Sequence, residues 1–289
     1  MKEIVLSIVV AFSLTTHLVM AVRPNYGYGG FPGSTHLVGR DGLCLEMFPW
    51  YEKDSYFPTR LSPCNVQKKQ TQLWTVLQDG TIRPMNDKYC LVAYYRVGVL
   101  NNVVVNDCSK ESNPNKIWNH KKDGTVVHVE SGMVLTGKSD AYVTLEPNEN
   151  VPSQSWEATE SLTPMVANIK WLDNLCLQST EDSNHVGLDG CNRENMKQRW
   201  ALYGDGTIRH SVNRNYCLTS EQDVGRFIVV SRCEDKPQQR WGLSAEDSTI
   251  NHPANTDMVM DVFMVPTTLV PAVVMGHRDG SPSQRWIIY

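Results

Sequence analysis

LWTVLQDGTIRPMNDKYCL, residues 73–91, returns further along the chain as RWALYGDGTIRHSVNRNYCL, residues 199–218. Both copies hold a Trp, an Asp-Gly-Thr-Ile-Arg run and a Tyr-Cys-Leu, and Trp74 and Trp200 stand 126 residues apart. A shorter unit repeats inside this long one. A Gln two residues before a Trp occurs as Gln72–Trp74, Gln154–Trp156, Gln198–Trp200, Gln239–Trp241 and Gln284–Trp286, with Lys116–Trp118 as a near-copy. The steps between these six tryptophans are 44, 38, 44, 41 and 45 residues. A period near 40 marks a repeat architecture.

The cysteines set the grouping. Repeats one, two, four and five each carry a pair, and repeats three and six carry none. The chain therefore reads as a duplicated threefold unit, each copy of ordinary domain size. A six-bladed propeller would share the period but has no reason to distinguish every third repeat. Within the repeats, Asp-Gly-Thr-(Ile/Val) follows Trp74, Trp118 and Trp200, at 79–82, 123–126 and 205–208, with a worn copy, Glu246-Asp247-Ser248-Thr249-Ile250, in repeat five. Asp-Gly between apolar runs is a strong hairpin signal. VVVND (103–107) and FIVVSRC (227–233) suit buried strands, so the class is all-β. In a strand, residues two apart face the same side, so the Gln and Trp of each Gln-x-Trp are expected to point together, inward if the Trp is core. Six inward indoles would then build two cores, with each Gln amide tying its strand to a neighbouring loop.

The eight cysteines are even in number, lack metal-binding spacing, and fit an oxidising compartment. Pairing between sequence neighbours is expected: Cys44–Cys64, Cys90–Cys108, Cys176–Cys191 and Cys217–Cys233. The N-terminus agrees with secretion. Lys2 precedes a mostly apolar run from Ile4 to Val19, and Val19-Met20-Ala21 fits a cleavage site after Ala21. A membrane anchor is the alternative, but the run is short for a span of about 20 residues and is interrupted. RPNYGYGGFPGST (23–35) reads as a flexible tail. A net charge of -4 gives no footprint for nucleic acid. No phosphate loop, Gly-x-Ser-x-Gly or free-thiol nucleophile is present, the histidines show no metal spacing, and there is no Asn-x-Ser/Thr glycosylation site. No enzymatic activity and no cofactor are expected.

From about His36 to Tyr289 the chain resembles the ricin-B-type lectins, the sugar-binding chains of two-chain plant toxins and their relatives. The resemblance rests on the six Gln-x-Trp-like motifs, GRDGLCL (39–45), NLCLQ (174–178), QRWALYGDGTIR (198–209) and NYCLTS (215–220). It implies two tandem β-trefoil domains, each of three subdomains of about 40 residues. The expected division is a signal peptide at 1–21, a tail at 22–36, and lectin-like domains at 37–158 and 159–289. The four neighbour disulfides match the family pattern.

The resemblance also implies binding of galactose-type sugars at the first and last subdomains, through an acid, a stacking ring and an Asn beside the repeat Gln. In the first subdomain the acid position holds Glu46, the next two site positions hold Arg60 and Ser62, the Asn position holds Thr71, and Gln72 is kept. In the last, Asp261 and Gln284 are kept, Ser283 replaces the Asn, and the ring position falls on Met275 or Gly276, with His277 as a substitute. Trp50, Tyr51, Tyr56 and Phe57 could supply a ring to the first site. Asp107 with Tyr94 or Tyr95 could make a middle pocket.

Two readings stay open. One is a lectin, secreted or vacuolar and defence- or storage-related by analogy, binding glycans or glycoproteins weakly or with altered specificity. The other is a lectin fold that has lost sugar binding and serves storage or protein interaction. No cysteine precedes Cys44 to bridge to a toxic chain, so no covalent toxic partner is expected. A homo-oligomer and a non-covalent partner stay open.

Overall fold

The structure is a computed structural model that describes residues 34–48, 57–85, 88–94, 101–138, 142–180, 184–221, 223–265 and 270–289. The expected signal peptide, most of the tail, and Trp50, Tyr51, Tyr56 and Tyr95 lie outside these residues. No helix among the described residues is long and apolar enough to cross a membrane.

The chain is built of short antiparallel strands in two tandem units, and each unit closes on itself. Thr35–Val38 pairs with Glu157–Thr159, in the register His36↔Thr159 to Val38↔Glu157. Ile169–Lys170 pairs in the same way with the chain's last strand, Ile287–Ile288. These closures adjust the expected borders. Thr35 and His36, assigned to the flexible tail, are buried strand residues, because their backbones pair with Trp74 and Leu73. Thr159 pairs back into the first unit.

Each unit holds one core with three of the repeat indoles. Trp74, Trp118 and Trp156 share the first with Leu37, Leu91 and Leu135. Trp200, Trp241 and Trp286 share the second with Ile169, Leu218 and Met260. All six are at most 5% exposed, so each ring leaves water almost completely. An indole N–H buried this deeply must find an acceptor. Each donates to a backbone carbonyl: Trp74 to Leu45, Trp118 to Leu91, Trp156 to Leu135, Trp200 to Leu177, Trp241 to Leu218 and Trp286 to Met260, at 2.9–3.0 Å.

The Gln of the motif does not lie in a strand. Gln72 ends the helical turn Lys69–Gln72, and the others end the 3-10 turns Pro152–Gln154, Met196–Gln198, Pro237–Gln239 and Pro282–Gln284. The two-residue period fails because each strand begins only after the Gln. The amides still tie loops. Each Gln Oε1 accepts a backbone N–H from five to seven residues upstream, and each Nε2 donates to a carbonyl, for example Gln198 to Gly190 at 2.9 Å. In repeat two the Lys116 ammonium takes over only the donor half, reaching the carbonyls of Cys108 and Glu111. The four expected neighbour disulfides are present.

The Asp-Gly-Thr hairpins wire one repeat to the next. Asp79, Asp123 and Asp205 each accept, through Oδ1, from the backbone N–H and the hydroxyl of the Thr two residues on. This turn requires positive φ at its second residue, which glycine adopts readily at Gly80, Gly124 and Gly206. The Gly carbonyl then accepts from the N–H of the next repeat's Trp: Gly80 from Trp118, Gly124 from Trp156, Gly206 from Trp241. Repeat five keeps the wiring with Ser248, whose carbonyl accepts from Trp286 at a φ of 61°. A side chain in that region is strained. Ser248→Gly is therefore expected to stabilise the second unit by about 0.5–1 kcal/mol, the strain relief being partly offset by glycine's freer unfolded chain. An unchanged or lowered urea midpoint would contradict this.

Candidate functional site

The six indole bonds give the repeats a common origin. The residue after each acceptor carbonyl occupies one equivalent position: Glu46, Val92, Thr136, Gln178, Thr219 and Asp261. In repeats three to six the repeat Gln donates to this side chain: Gln154 to Thr136, Gln198 to Gln178, Gln239 to Thr219 and Gln284 to Asp261, at 2.9–3.3 Å. A carboxylate, the strongest neutral-pH acceptor for paired hydroxyls, stands there only in repeats one and six.

In repeat one the carboxylate is already committed. Glu46 is 3% exposed, and Lys68 Nζ lies 2.7 Å from its Oε1. Arg60 Nη2 lies 3.8 Å from Oε2, and the Arg60 guanidinium stacks 4.0 Å above the Phe48 ring. Thr71 Oγ1 is 3.5 Å from Oε1. Burial pushes the Glu46 carboxyl upward, but the Lys68 and Ser62 hydrogen bonds and the Lys68 and Arg60 charges outweigh it and hold it below its ordinary value. The structure thus gathers Glu46, Arg60 and Thr71, and adds Lys68, which the sequence reading missed. Gln72 stays apart, bonded to Asn65 N and Pro63 O. Phe57 packs edge-on against Tyr89 and against the first core, not beside Glu46. Asp107, the middle candidate, is 5% exposed, turned onto Ser109 and near Lys88. Tyr94 bonds Glu111 and Asn106 instead.

Repeat six differs. The long hairpin Asn255–Met264 with Pro271–His277 pairs Asp261 with Val274, Met260 with Met275 and Met258 with His277. Successive residues alternate faces. Met258, Met260, Val262, Val273 and Met275 face the core, and Asp261, Phe263, Val274 and Gly276 lie on the opposite face, where Phe263 is exposed and Val274 is buried. Met275 is fully buried in the core cluster, so it offers no surface to a ligand. His277 starts on the Met275 face, and it is its carbonyl that meets the site, accepting from Gln284 Nε2. The residue on Asp261's own face is Gly276. A Cβ there would meet Asp261 Oδ2 at 2.6 Å, so the position excludes any ring while the carboxylate keeps this place.

Asp261 Oδ1 accepts from Val262 N at 2.7 Å, and Oδ2 from Gln284 Nε2 at 3.1 Å. Among the described residues it has no cationic partner. Ser283 turns its hydroxyl to Ser281, and its carbonyl accepts from Trp171. Phe263 stands on the same face, two residues along the strand and 54% exposed. Phe227, bridged to Val274, is 48% exposed on the far side of the same strand. Neither ring stood out from spacing alone, although Phe263 shares the parity of Asp261. No cluster of three or more metal-ligating side chains occurs among the described residues.

The profile of the ricin-type β-trefoil lectin domain matches residues 33–156 and again 165–286. The chain belongs to the ricin-type β-trefoil lectin family. It is 33% identical over 258 residues to nigrin b of Sambucus nigra, a match spanning 87% of this chain but 44% of that protein. The chain therefore spans less than half the length of such relatives. Its fold superimposes on the agglutinin from Abrus precatorius with a TM-score of 0.80, at 30% identity, covering 91% of this chain and 97% of that one. A non-toxic homologue of type II RIPs from Momordica charantia, solved with alpha-methyl-D-galactoside, gives 0.76 at 32% identity, covering 89% and 96%. The two domains of this lectin-family chain are thus both β-trefoils, each built of the three repeats read from its tryptophans.

Proposed function

We propose that this chain works by binding carbohydrate, without catalysis, and that its working site is in repeat six. The observation that carries this is the Asp261 carboxylate, held by an amide and a backbone N–H and, among the described residues, without a cationic partner. It can accept from two hydroxyls of a galactose- or N-acetylgalactosamine-type ring, while Gln284 fixes its orientation. The Momordica charantia relative's complex with alpha-methyl-D-galactoside supports that sugar class. Phe263 supplies the apolar contact that Gly276 cannot, so specificity is altered and single-site affinity weak. Repeat one is silent because a ligand would have to displace Lys68 from Glu46. The secretory signal at 1–21, a tail that ends before Thr35 and two lectin-like domains that divide after Thr159 accompany this reading, as does a secreted or vacuolar location.

The test is titration calorimetry with methyl α-D-galactoside, together with retention on galactose–agarose. Asp261→Asn is expected to weaken binding about 10–100-fold, the usual worth of a hydrogen bond to a charged group. Phe263→Ala is expected to weaken it about 10-fold, with Phe263→Tyr close to the parent. Glu46→Gln is expected to change nothing. Galactoside binding that survives Asp261→Asn would refute the site. Failure to bind any neutral glycan would favour the storage or interaction reading, in which repeat six has lost its ligand as repeat one has.

A further inference from the structure

A second concave site lies elsewhere on the second domain. A cleft of about 210 Å³ opens between the hairpin of repeat four and the start of repeat five. Asn184 and His185 border it from the repeat-four side, and His210, Asn213 and Tyr216 from the other, over Val230. It is not the repeat-five counterpart of the Asp261 site. That counterpart is Thr219, which pairs with Val229, whereas Val230 pairs with Leu218 on the opposite face of the hairpin.

The lining has a consistent chemistry. Among the described residues it includes no acid, no Lys and no Arg. Two Asn amides and a phenol offer both donors and acceptors, and the Ser179 and Thr180 hydroxyls, which donate to the Lys197 and His185 carbonyls, offer acceptors. Val230 and the faces of Tyr216 and the two imidazoles supply apolar area. His185 stands edge-on to Phe227 and His210 edge-on to Trp200, which holds both rings in place. Burial keeps the His210 imidazole below its ordinary value, hence uncharged at neutral pH. The backbone N–H of Asn213 donates to His210 Nδ1, so the ring's own proton sits on Nε2 and can be donated.

We propose that this cleft is a separate binding site for one neutral sugar ring, independent of Asp261. A neutral lining with mixed donors and acceptors matches vicinal hydroxyls. Among the described residues it holds no Lys or Arg to compensate a phosphate or a carboxylate. Its volume falls below the roughly 300–1,000 Å³ of sites for drug-sized ligands, which limits it to a single ring. A domain with two such shallow sites would engage branched or clustered glycans through avidity, not through one strong contact.

The test uses Asp261→Asn as the starting protein, so that repeat six does not contribute. The Hε1 signals of His185 and His210 are followed by NMR during titration with methyl α-D-galactoside, methyl α-D-mannoside and D-glucose, with N-acetylneuraminic acid and inorganic phosphate as anionic comparisons. At least one neutral ring is expected to shift both signals saturably at millimolar concentration, and neither anion to do so. Asn213→Ala and Tyr216→Ala are each expected to weaken that response about ten-fold. The proposal is overturned if no neutral sugar gives a saturable shift, if the anions shift the signals equally, or if both variants respond as the parent does. Since the readout is local to the two histidines, failure here leaves the repeat-six reading standing, and failure there leaves this one standing.

Discussion

Arg209→Ala is expected to destabilise the protein by about 3–5 kcal/mol, the usual cost of stripping one partner from a buried ion pair. Arg83→Ala, which removes the same residue of the same Asp-Gly-Thr-Ile-Arg run, is expected to cost about 0–1 kcal/mol. Locally the two hairpins match. Arg83 Nη2 lies 3.2 Å from Asp79 Oδ2, and Arg209 Nη2 lies 2.7 Å from Asp205 Oδ2. Their surroundings do not match. Asp79 is a surface carboxylate, its side chain 54% exposed, whereas the Asp205 side chain is fully buried where the two domains meet. There the N–H of Asp41 donates to Asp205, Arg209 also pairs with Asp41 at 2.8 Å, and the Arg209 guanidinium lies 4.1 Å from the centre of the Tyr203 ring. Arg40 and the backbone of Ser153 bond Asp235 nearby, and the fully buried Arg240 donates to the Asp123 carbonyl across the same seam. Deleting Arg209 strips the buried Asp205 of its ion-pair partner, leaving it only the bonds from Thr207 and the Asp41 N–H. Urea unfolding of both variants with disulfides intact, followed by tryptophan fluorescence, decides the matter. Equal losses would mean that the domain seam contributes nothing beyond a surface pair.

Acidification is expected to remove about 3 kcal/mol from the second domain through a single side chain. His252 is 2% exposed, stacked 4.9 Å from the centre of the Trp241 ring, with Nε2 bonded to Ser220. Burial lowers its pKa from 6.5 to about 4, against smaller opposing contacts with the Arg240 and Pro237 backbones. The unfolded chain takes up the proton below 6.5 and the folded one only near 4. The stability is therefore fully present above pH 6.5 and is lost progressively as pH falls towards 4. At 1.36 kcal/mol per unit the loss is about 3 kcal/mol. Urea midpoints taken at neutral pH and near the lower end of that window should show it, and His252→Asn should flatten that part of the profile. His128 and His210 lie beside Trp118 and Trp200 and are lowered by burial in the same direction, so they add to the slope. A profile flat across this range, or one unchanged by His252→Asn, would contradict the assignment.

Much of this architecture was readable because it repeats. A residue type returning six times at one spacing must meet the same local demand six times. Here the demand is a buried indole whose N–H seeks a fixed carbonyl. The Asp-Gly-Thr turns were legible for a similar reason, since a carboxylate two residues before a Thr and a glycine free to take positive φ define the bend locally. The Gln was misread because alternation holds only inside a strand, and the motif straddles the end of a helical turn. Met275 and Gly276 could not be separated by alignment. Only the register Asp261↔Val274 showed which one shares the carboxylate's face.

The sequence by itself determined two threefold units, their six core indoles and the four disulfides, because each is fixed by contacts among residues near in sequence or identical between repeats. Tertiary structure alone decided which acids remain available. Glu46 and Asp261 occupy equivalent positions, yet Lys68 closes on the first while, among the described residues, an amide and a backbone N–H hold the second. It also decided that one Asp-Gly-Thr-Ile-Arg run is a solvated turn and the other a buried clasp between domains. Charge strength depends on what surrounds a group in space, and neighbours brought together from distant parts of the chain leave no mark on local spacing.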